Sequence, residues 1–301
     1  MASGLVLIDK HKGWTSHDVV AKMRGIASTR RVGHAGTLDP MATGLLLLGI
    51  NAGTKLLTFL VGATKTYEAT IRLGANTITD DAEGELTSTA DCSEVDALTL
   101  EKIEAALNSF RGDIMQVPSS VSAIKVDGQR AYAKVRGGDE VKLAARPVTV
   151  SRFDVTSALR TVSVGESKFV EFDAVIDCSS GTYIRALARD LGGALQVGGH
   201  LTALKRTRIG TYKIEDAQQL EGMSSDSLSI TSMFDAVKES FELRELSEQE
   251  VTDLRHGKRI SSNDCVGKEI AGVCGQTLIA MLEKVGEQLK STVVFVQDSN
   301  D

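Results

Sequence analysis

Hydrophobic residues fall at every second position in two stretches of the chain. In Lys65-Thr66-Tyr67-Glu68-Ala69-Thr70-Ile71-Arg72-Leu73, the residues Tyr67, Ala69, Ile71 and Leu73 share one face. Across 169–178 the same holds for Val170, Phe172, Ala174, Ile176 and Cys178. Strand side chains alternate between faces, so both stretches predict half-buried β-strands. Two unbroken apolar runs add to these: 5–8, a short strand, and 45–50, a buried strand or short core segment. Val19, Val20, Met23 and Ile26 recur with helical period, and Ser16 before them reads as the N-cap with Asp18 in the first turn. A second, short helix begins at Gly53-Thr54-Lys55. Thr99 caps a third, which runs to about Phe110 and is ended by Gly112. Thr182 caps a fourth, which ends at Gly192-Gly193. The Ser-rich stretch 222–232 reads as a linker. Beyond it, Ser247-Glu248-Gln249-Glu250 is a capping box for a helix ending near Gly257, and short strands are expected around 270–274, 278–282 and 292–296. One helix and several strands in so short a span predict a small β-rich module.

Composition narrows the class. The chain has 301 residues, 42% hydrophobic and 25% charged, as in ordinary soluble globular proteins. No run is long and apolar enough to span a membrane, and the first residues lack the charged and long apolar regions of a signal peptide. Cys92, Cys178, Cys265 and Cys274 show neither metal-ligand spacing nor disulfide-scaffold density, so reduced thiols in a cytoplasmic protein are expected. The net charge of −6 does not advertise a polyanion partner. Its distribution says more. Residues 1–72 carry nine Lys/Arg against four Asp/Glu, whereas 213–301 carry nine against seventeen. A polyanion would be drawn to the first part.

The chemistry is concentrated in Gly33-His34-Ala35-Gly36-Thr37-Leu38-Asp39-Pro40-Met41-Ala42-Thr43-Gly44. Glycines at this density allow left-handed turns and close backbone approach. Pro40 fixes its own φ and biases Asp39 toward an extended conformation. A carboxylate on a stiff corner beside an apolar wall suits a nucleophile or general base. The same residues also suit a solvated turn, in which Asp before Pro is common. Tyr67 by periodicity alone is a core aromatic, and Arg30-Arg31 suit a solvated pair as well as phosphate contacts. Neither a phosphate-binding loop nor a dinucleotide fingerprint occurs.

The stretch from Gly33 to Ile50 resembles the motif II loop of the TruB family of tRNA pseudouridine synthases, whose pattern is close to GHxGxLDPxAxGxL, met here at every fixed position. Four further stretches resemble that family in its order. Asp9-Lys10-His11-Lys12-Gly13-Trp14-Thr15-Ser16-His17-Asp18-Val19-Val20 matches its first motif, with His11 in place of proline. Lys65-Thr66-Tyr67 matches its K-x-Y motif, and the stretch Val117 to Gly128 contains its P-P-x-x-S-A-x-K-x-x-G segment with one proline missing. Gly181-Thr182-Tyr183-Ile184-Arg185-Ala186-Leu187-Ala188-Arg189-Asp190-Leu191-Gly192 meets G-x-Y-I-R-x-L-x-x-D-L-G throughout.

The resemblance covers about 5–212 and implies an α+β pseudouridine synthase fold, a mixed, mainly antiparallel sheet with flanking helices. It implies a catalytic domain over 1–221, with a thumb insertion at 119–146 that closes on RNA, a linker over 222–240 and a PUA-like domain over 241–301. It implies isomerisation of uridine to pseudouridine at position 55 in the T loop of tRNA, with base flipping, by a cytoplasmic enzyme. Asp39 is then the nucleophile, with Arg185 pairing it and Tyr67 packing under the base. His34, Lys55, Asp81, Tyr183 and Leu204 are implied substrate contacts, although Asp81 could equally order an arginine or loop backbone. No cofactor and no metal are implied. The partner is the T-arm stem-loop of tRNA, with no membrane, no required protein partner, and a monomeric enzyme. The thumb, with six Lys/Arg against three acids, argues for the type that works without a guide RNA. An RNA-binding protein without catalysis, and an Asp-nucleophile glycosidase, are the rival readings. The first should have lost Asp39 or Arg185, and the second needs a second carboxylate.

Overall fold

The computed structural model describes residues 2–119, 125–126, 129–130 and 143–295, with the backbone alone at 125–126 and 129–130. The spacing of Ala131, Tyr132 and Val135 predicts a short helix stopped by Gly137-Gly138, and these positions lie outside the described residues. The described residues form two compact units, one drawn from 1–40, 44–61 and 210–301, the other from 41–43 and 62–209.

The first unit is built on the strand Gly4–Lys10, which pairs antiparallel with Thr43–Ile50 from Lys10 opposite Gly44 to Gly4 opposite Ile50. Val32–Ala35 joins the latter strand antiparallel. Leu5, Val6, Leu7 and Ile8, and Leu45 to Leu48, are all buried, as unbroken apolar runs require. The other edge of the N-terminal strand is filled from the far end of the sequence. Gln218–Gln219 pairs with it parallel and Thr231–Ser232 antiparallel. Within the stretch expected as a linker, Ser232 caps the helix Met233–Lys238, whose Ala236 and Val237 are buried. The helix Ser16–Ile26 buries Val19, Val20 and Met23 as its period predicts. Its N-cap is Thr15 rather than Ser16. Thr15 Oγ1 accepts from Asp18 N, and Asp18 Oδ2 accepts from Thr15 N, closing a capping box one residue earlier than expected.

The C-terminal part of this unit is a five-stranded sheet in the order Glu242–Glu245, Glu269–Cys274, Thr277–Val285, Gln288–Val294, Ile260–Ser261. The Ser247 capping box starts the helix Glu248–Arg255 as predicted. Val251 and Leu254 from that helix pack with Leu246, Ile270, Ile279, Leu282 and Leu289 in a core of their own. The first pairing of this sheet is parallel and the rest antiparallel.

The second unit is an antiparallel sheet in the order Gly199–Ile209, Lys65–Leu73, Ser167–Cys178, Arg146–Val155, Gly112–Gln116. Both period-two stretches are its central strands, with the predicted faces buried. Leu100–Leu107 is the helix expected after Thr99, whose hydroxyl accepts from Lys102 N, and a 3-10 turn continues it to Phe110. The helix Ile184–Ala194 departs from expectation at both ends. Thr182 does not cap it, because its hydroxyl donates to Ser179 O instead. Nor do Gly192 and Gly193 end it. A Cβ on Gly192 would lie 2.1 Å from the backbone of Gly198 and Gly199, so this glycine serves close packing within the helix, not termination. The sheets are mixed and mainly antiparallel with helices beside them, an α+β architecture.

Candidate active site

Asp39 lies half-buried on the turn after Val32–Ala35. Gly36 (φ +83°) and Gly44 (φ +97°) take the left-handed conformations expected of the loop glycines. Both neighbours of Asp39 are pinned. Ser16 Oγ accepts from Leu38 N at 2.9 Å and donates to Leu38 O at 3.2 Å. Pro40 O accepts from Gly13 N at 2.8 Å and from Lys10 Nζ at 3.5 Å. Lys10, only 1% exposed, also donates to Trp14 O at 2.7 Å and to His11 O at 3.0 Å. The turn of the first motif therefore cradles the loop of the second. Neither Lys10 nor Ser16 was singled out as a support. The signal lay in a lysine at the end of an apolar strand, since a buried ammonium needs carbonyl partners.

His34 stands on the strand before the loop, half-buried, with its ring edge-on to His17 at 5.7 Å between centroids. His17 itself is exposed on the first helix. Lys55 is exposed on the helix Gly53–Leu60.

The second unit gathers the other expected residues. Arg185 is buried in the first turn of its helix. Its Nη1 donates to Thr79 O at 2.7 Å and to Asp81 Oδ2 at 3.2 Å. Asp81 is buried too, and its other oxygen accepts from Thr79 Oγ1 at 2.6 Å and Glu83 N at 3.1 Å. These contacts order an arginine and loop backbone, one of the two roles open to Asp81. Next to it, Asp80 pairs with Arg189 at 3.2 Å, yet burial pushes its carboxyl above the ordinary aspartate range.

Tyr67 is buried and faces Arg206 across the strand pair, while Leu204 faces Ala69. Residues opposite each other share a face, so Tyr67, Ala69, Leu204 and Arg206 lie on one side of the sheet. Leu204 O accepts from Thr43 Oγ1 at 3.5 Å. At the start of the Tyr67 strand, burial and the nearby Arg206 charge bring the Lys65 ammonium down to about 8.

Tyr183 occupies the N-cap position of the helix that carries Arg185. Its backbone is held by a residue that the sequence reading passed over. Gln116 Nε2 donates to Tyr183 O at 3.0 Å, and Gln116 Oε1 accepts from Tyr183 N at 2.8 Å. Among the described residues no group of three or more His, Cys, Asp or Glu side chains could hold a metal ion, and no helix is long and apolar enough to cross a membrane.

Comparison with known proteins places these residues in a family. Residues 24–184 match the N-terminal domain of TruB family pseudouridylate synthases. Residues 185–245 match the tRNA pseudouridylate synthase B C-terminal domain, and 241–296 the tRNA pseudouridine synthase II C-terminal domain. The protein named tRNA pseudouridine synthase B from Paenarthrobacter aurescens (strain TC1) is 51% identical over 98% of this chain and 96% of its own length. The protein of that name from Mycobacteroides abscessus is also 51% identical, over 97% of this chain and 96% of its own length. Two solved structures share the fold. One is an H/ACA RNP bound to a substrate RNA containing 2′-deoxyuridine, with TM-score 0.68 and 23% identity over 98% of this chain and 86% of that one. The other is the archaeal box H/ACA sRNP Nop10-Cbf5 complex, with TM-score 0.69 and 22% identity over 98% of this chain and 87% of that one. With matches running from residue 24 to residue 296 and half of all positions shared with such relatives, the chain belongs to the TruB family of pseudouridine synthases.

Proposed function

We propose that this protein converts uridine 55 in the T loop of tRNA to pseudouridine, with Asp39 as the nucleophile. The observation that carries the reading is the support of Asp39. Its loop is pinned on both sides by the turn of the first motif, through Ser16, Gly13 and Lys10. A carboxylate so held loses little freedom on meeting a substrate atom. Relatives named tRNA pseudouridine synthase B, sharing half of all positions, support tRNA as the substrate.

The reaction breaks the N1–C1′ bond, turns the base, and joins C5 to C1′. A proton leaves C5 and one is gained at N1, so atoms balance without an oxidant, a reductant or an energy source. Asp39 Oδ attacks either C6 of the ring or C1′ of the sugar, and a second step releases it. Tyr67 packs under the base and serves loss of the C5 proton. Arg185, steadied by Asp81 and Thr79 O, orients the Asp39 carboxylate. His34 takes the space the flipped base leaves, and Leu204 and Tyr183 line the apolar wall against it. Extruding a loop base costs a few kcal/mol. Shape and phosphate contacts select the T arm, to which the positive excess of 1–72, Lys55 and the basic residues of 119–146 contribute. The enzyme acts as a cytoplasmic monomer without a guide RNA or protein partner, and 241–301 is a PUA-like domain after a linker over 222–240.

The test is tritium release from C5-labelled uridine in an unmodified tRNA transcript, with the product mapped by position. Stoichiometric release with product at position 55 is expected. Asp39→Asn should release none while binding the transcript with nearly unchanged affinity. Product at another uridine would refute the positional assignment, and turnover by Asp39→Asn would remove the residue from its role.

A further inference from the structure

We infer that Gln116 is a positioning residue for the reaction, fixing through its carboxamide the backbone turn that carries Tyr183 and Arg185. It is 2% exposed and ends the strand Gly112–Gln116, immediately before the segment that leads into 119–146. Its amide meets the backbone of Tyr183 twice, as donor to the carbonyl and as acceptor from the N–H. Tyr183 has no side-chain cap of its own kind to use, and its extended backbone (φ −99°, ψ 105°) starts the helix. The Tyr183 carbonyl already accepts Leu187 N, so Gln116 fills its second lone pair. The turn is thus defined on both sides of one residue, and Arg185 follows two positions later.

The surroundings extend the same connection. Ser119, fully buried, donates to Thr79 O at 3.4 Å, the carbonyl that also receives Arg185 Nη1. Arg189, one turn beyond Arg185, donates to Val117 O at 2.8 Å. Gln116, Val117 and Ser119, three of the four positions entering 119–146, are thereby bonded to the helix or to the loop that holds Arg185. Only a side chain with a donor and an acceptor at amide spacing closes the double contact at position 116. An ionised carboxylate accepts from Tyr183 N but repels Tyr183 O, and an apolar isostere satisfies neither.

The inference rests on the proposed function, and its test separates the two. Gln116→Glu and Gln116→Met are compared with the wild type in single-turnover tritium release at saturating enzyme. The expectation is a chemical step slowed on the order of 10- to 100-fold in both, with transcript affinity within about threefold. Gln116→Glu should recover relative to wild type as pH falls from about 8 to 5.5, because a protonated carboxyl, like the amide, offers one donor and one acceptor. Gln116→Met should show no such recovery. Wild-type rates in Gln116→Glu at pH 8, or a slow Gln116→Glu without recovery on acidification, would overturn the inference. Loss of transcript affinity with an unchanged chemical step would overturn it too. If the wild type itself releases no tritium, the functional reading fails. The clamp is then judged by hydrogen exchange of the Tyr183 amide, which Gln116→Met should accelerate at least tenfold and which an unchanged rate would refute.

Discussion

Asp81→Asn isolates the buried ion pair under Arg185. The two side chains are 5% and 6% exposed, and their contact is 3.2 Å. Asparagine keeps an oxygen for Thr79 Oγ1 and Glu83 N, so the local turn retains its hydrogen bonds. What is lost is the charge opposite a guanidinium that water does not reach. Removing one partner of such a pair costs about 3–5 kcal/mol. The unit concerned has roughly 150 residues, so its unfolding entropy is near ~0.3 kcal/mol/K and Tm falls by about 10–15 °C. Scanning calorimetry at about 0.05 and 0.5 M salt gives the measurement. The decrement should be the same at both, because ions that screen exposed charges do not enter a buried contact. The exposed pair Arg152–Asp154 supplies the contrast, with Arg152→Gln expected to move Tm by no more than about 2 °C. A loss below about 3 °C for Asp81→Asn, or one that fades with salt, would refute the reasoning.

Three further outcomes follow from the packing. Arg185→Lys should slow single-turnover isomerisation on the order of 100-fold although charge is retained, because an ammonium lacks the planar fork; near-normal rates would show that the fork is not needed. Gly192→Ala should lower stability by at least ~3 kcal/mol, since its Cβ would meet backbone at 2.1 Å. Gly193→Ala, whose Cβ would meet nothing within 4 Å, should be neutral or stabilising by up to ~1 kcal/mol; equal denaturation midpoints for the two variants would contradict this. For Lys65, the folded ammonium titrates near 8, below its ordinary 10.5, so the unfolded chain binds more protons between those values. Its contribution to stability should therefore rise with pH from about 8 to 10.5 and be absent in Lys65→Met, as urea melts across that range would reveal.

The strands were legible because a half-buried strand imposes a period of two, which Lys65–Leu73 and Ser167–Cys178 obey. The Ser247 capping box was legible for the same local reason. Helix ends were less so. Ser16 and Thr15 both have capping hydroxyls, and only the tertiary bonds of Ser16 to Leu38 decide between them. Gly192 mimics a stop signal because a glycine required by a neighbouring backbone looks no different in sequence from one required by a turn. In the site, the Asp39 loop stood out through its composition. Lys10 and Gln116 did not, since their polarity alone reads as solvated surface and Gln116 finds its partner in a distant segment. The basic residues of 119–146 lie almost wholly outside the described residues.

The pairing of Gly4–Lys10 with Gln218–Gln219 and Thr231–Ser232 has a consequence for synthesis. Partners on one side of this strand, Thr43–Ile50, are made almost at once, but those on the other are more than two hundred residues away along the chain. At 5–20 residues per second the first strand waits about 10–40 s for its second edge. Meanwhile residues 62–209, which supply nearly all of the other unit, have left the ribosome. The later-starting unit can therefore finish first, while an apolar strand stands with one row of backbone groups bare, the condition under which nascent chains need a chaperone. Stalled chains ending near residue 215 should be cleaved by protease in the first fifty residues, and chains stalled well beyond 240 should not; equal protection of both would mean that the strand is shielded some other way.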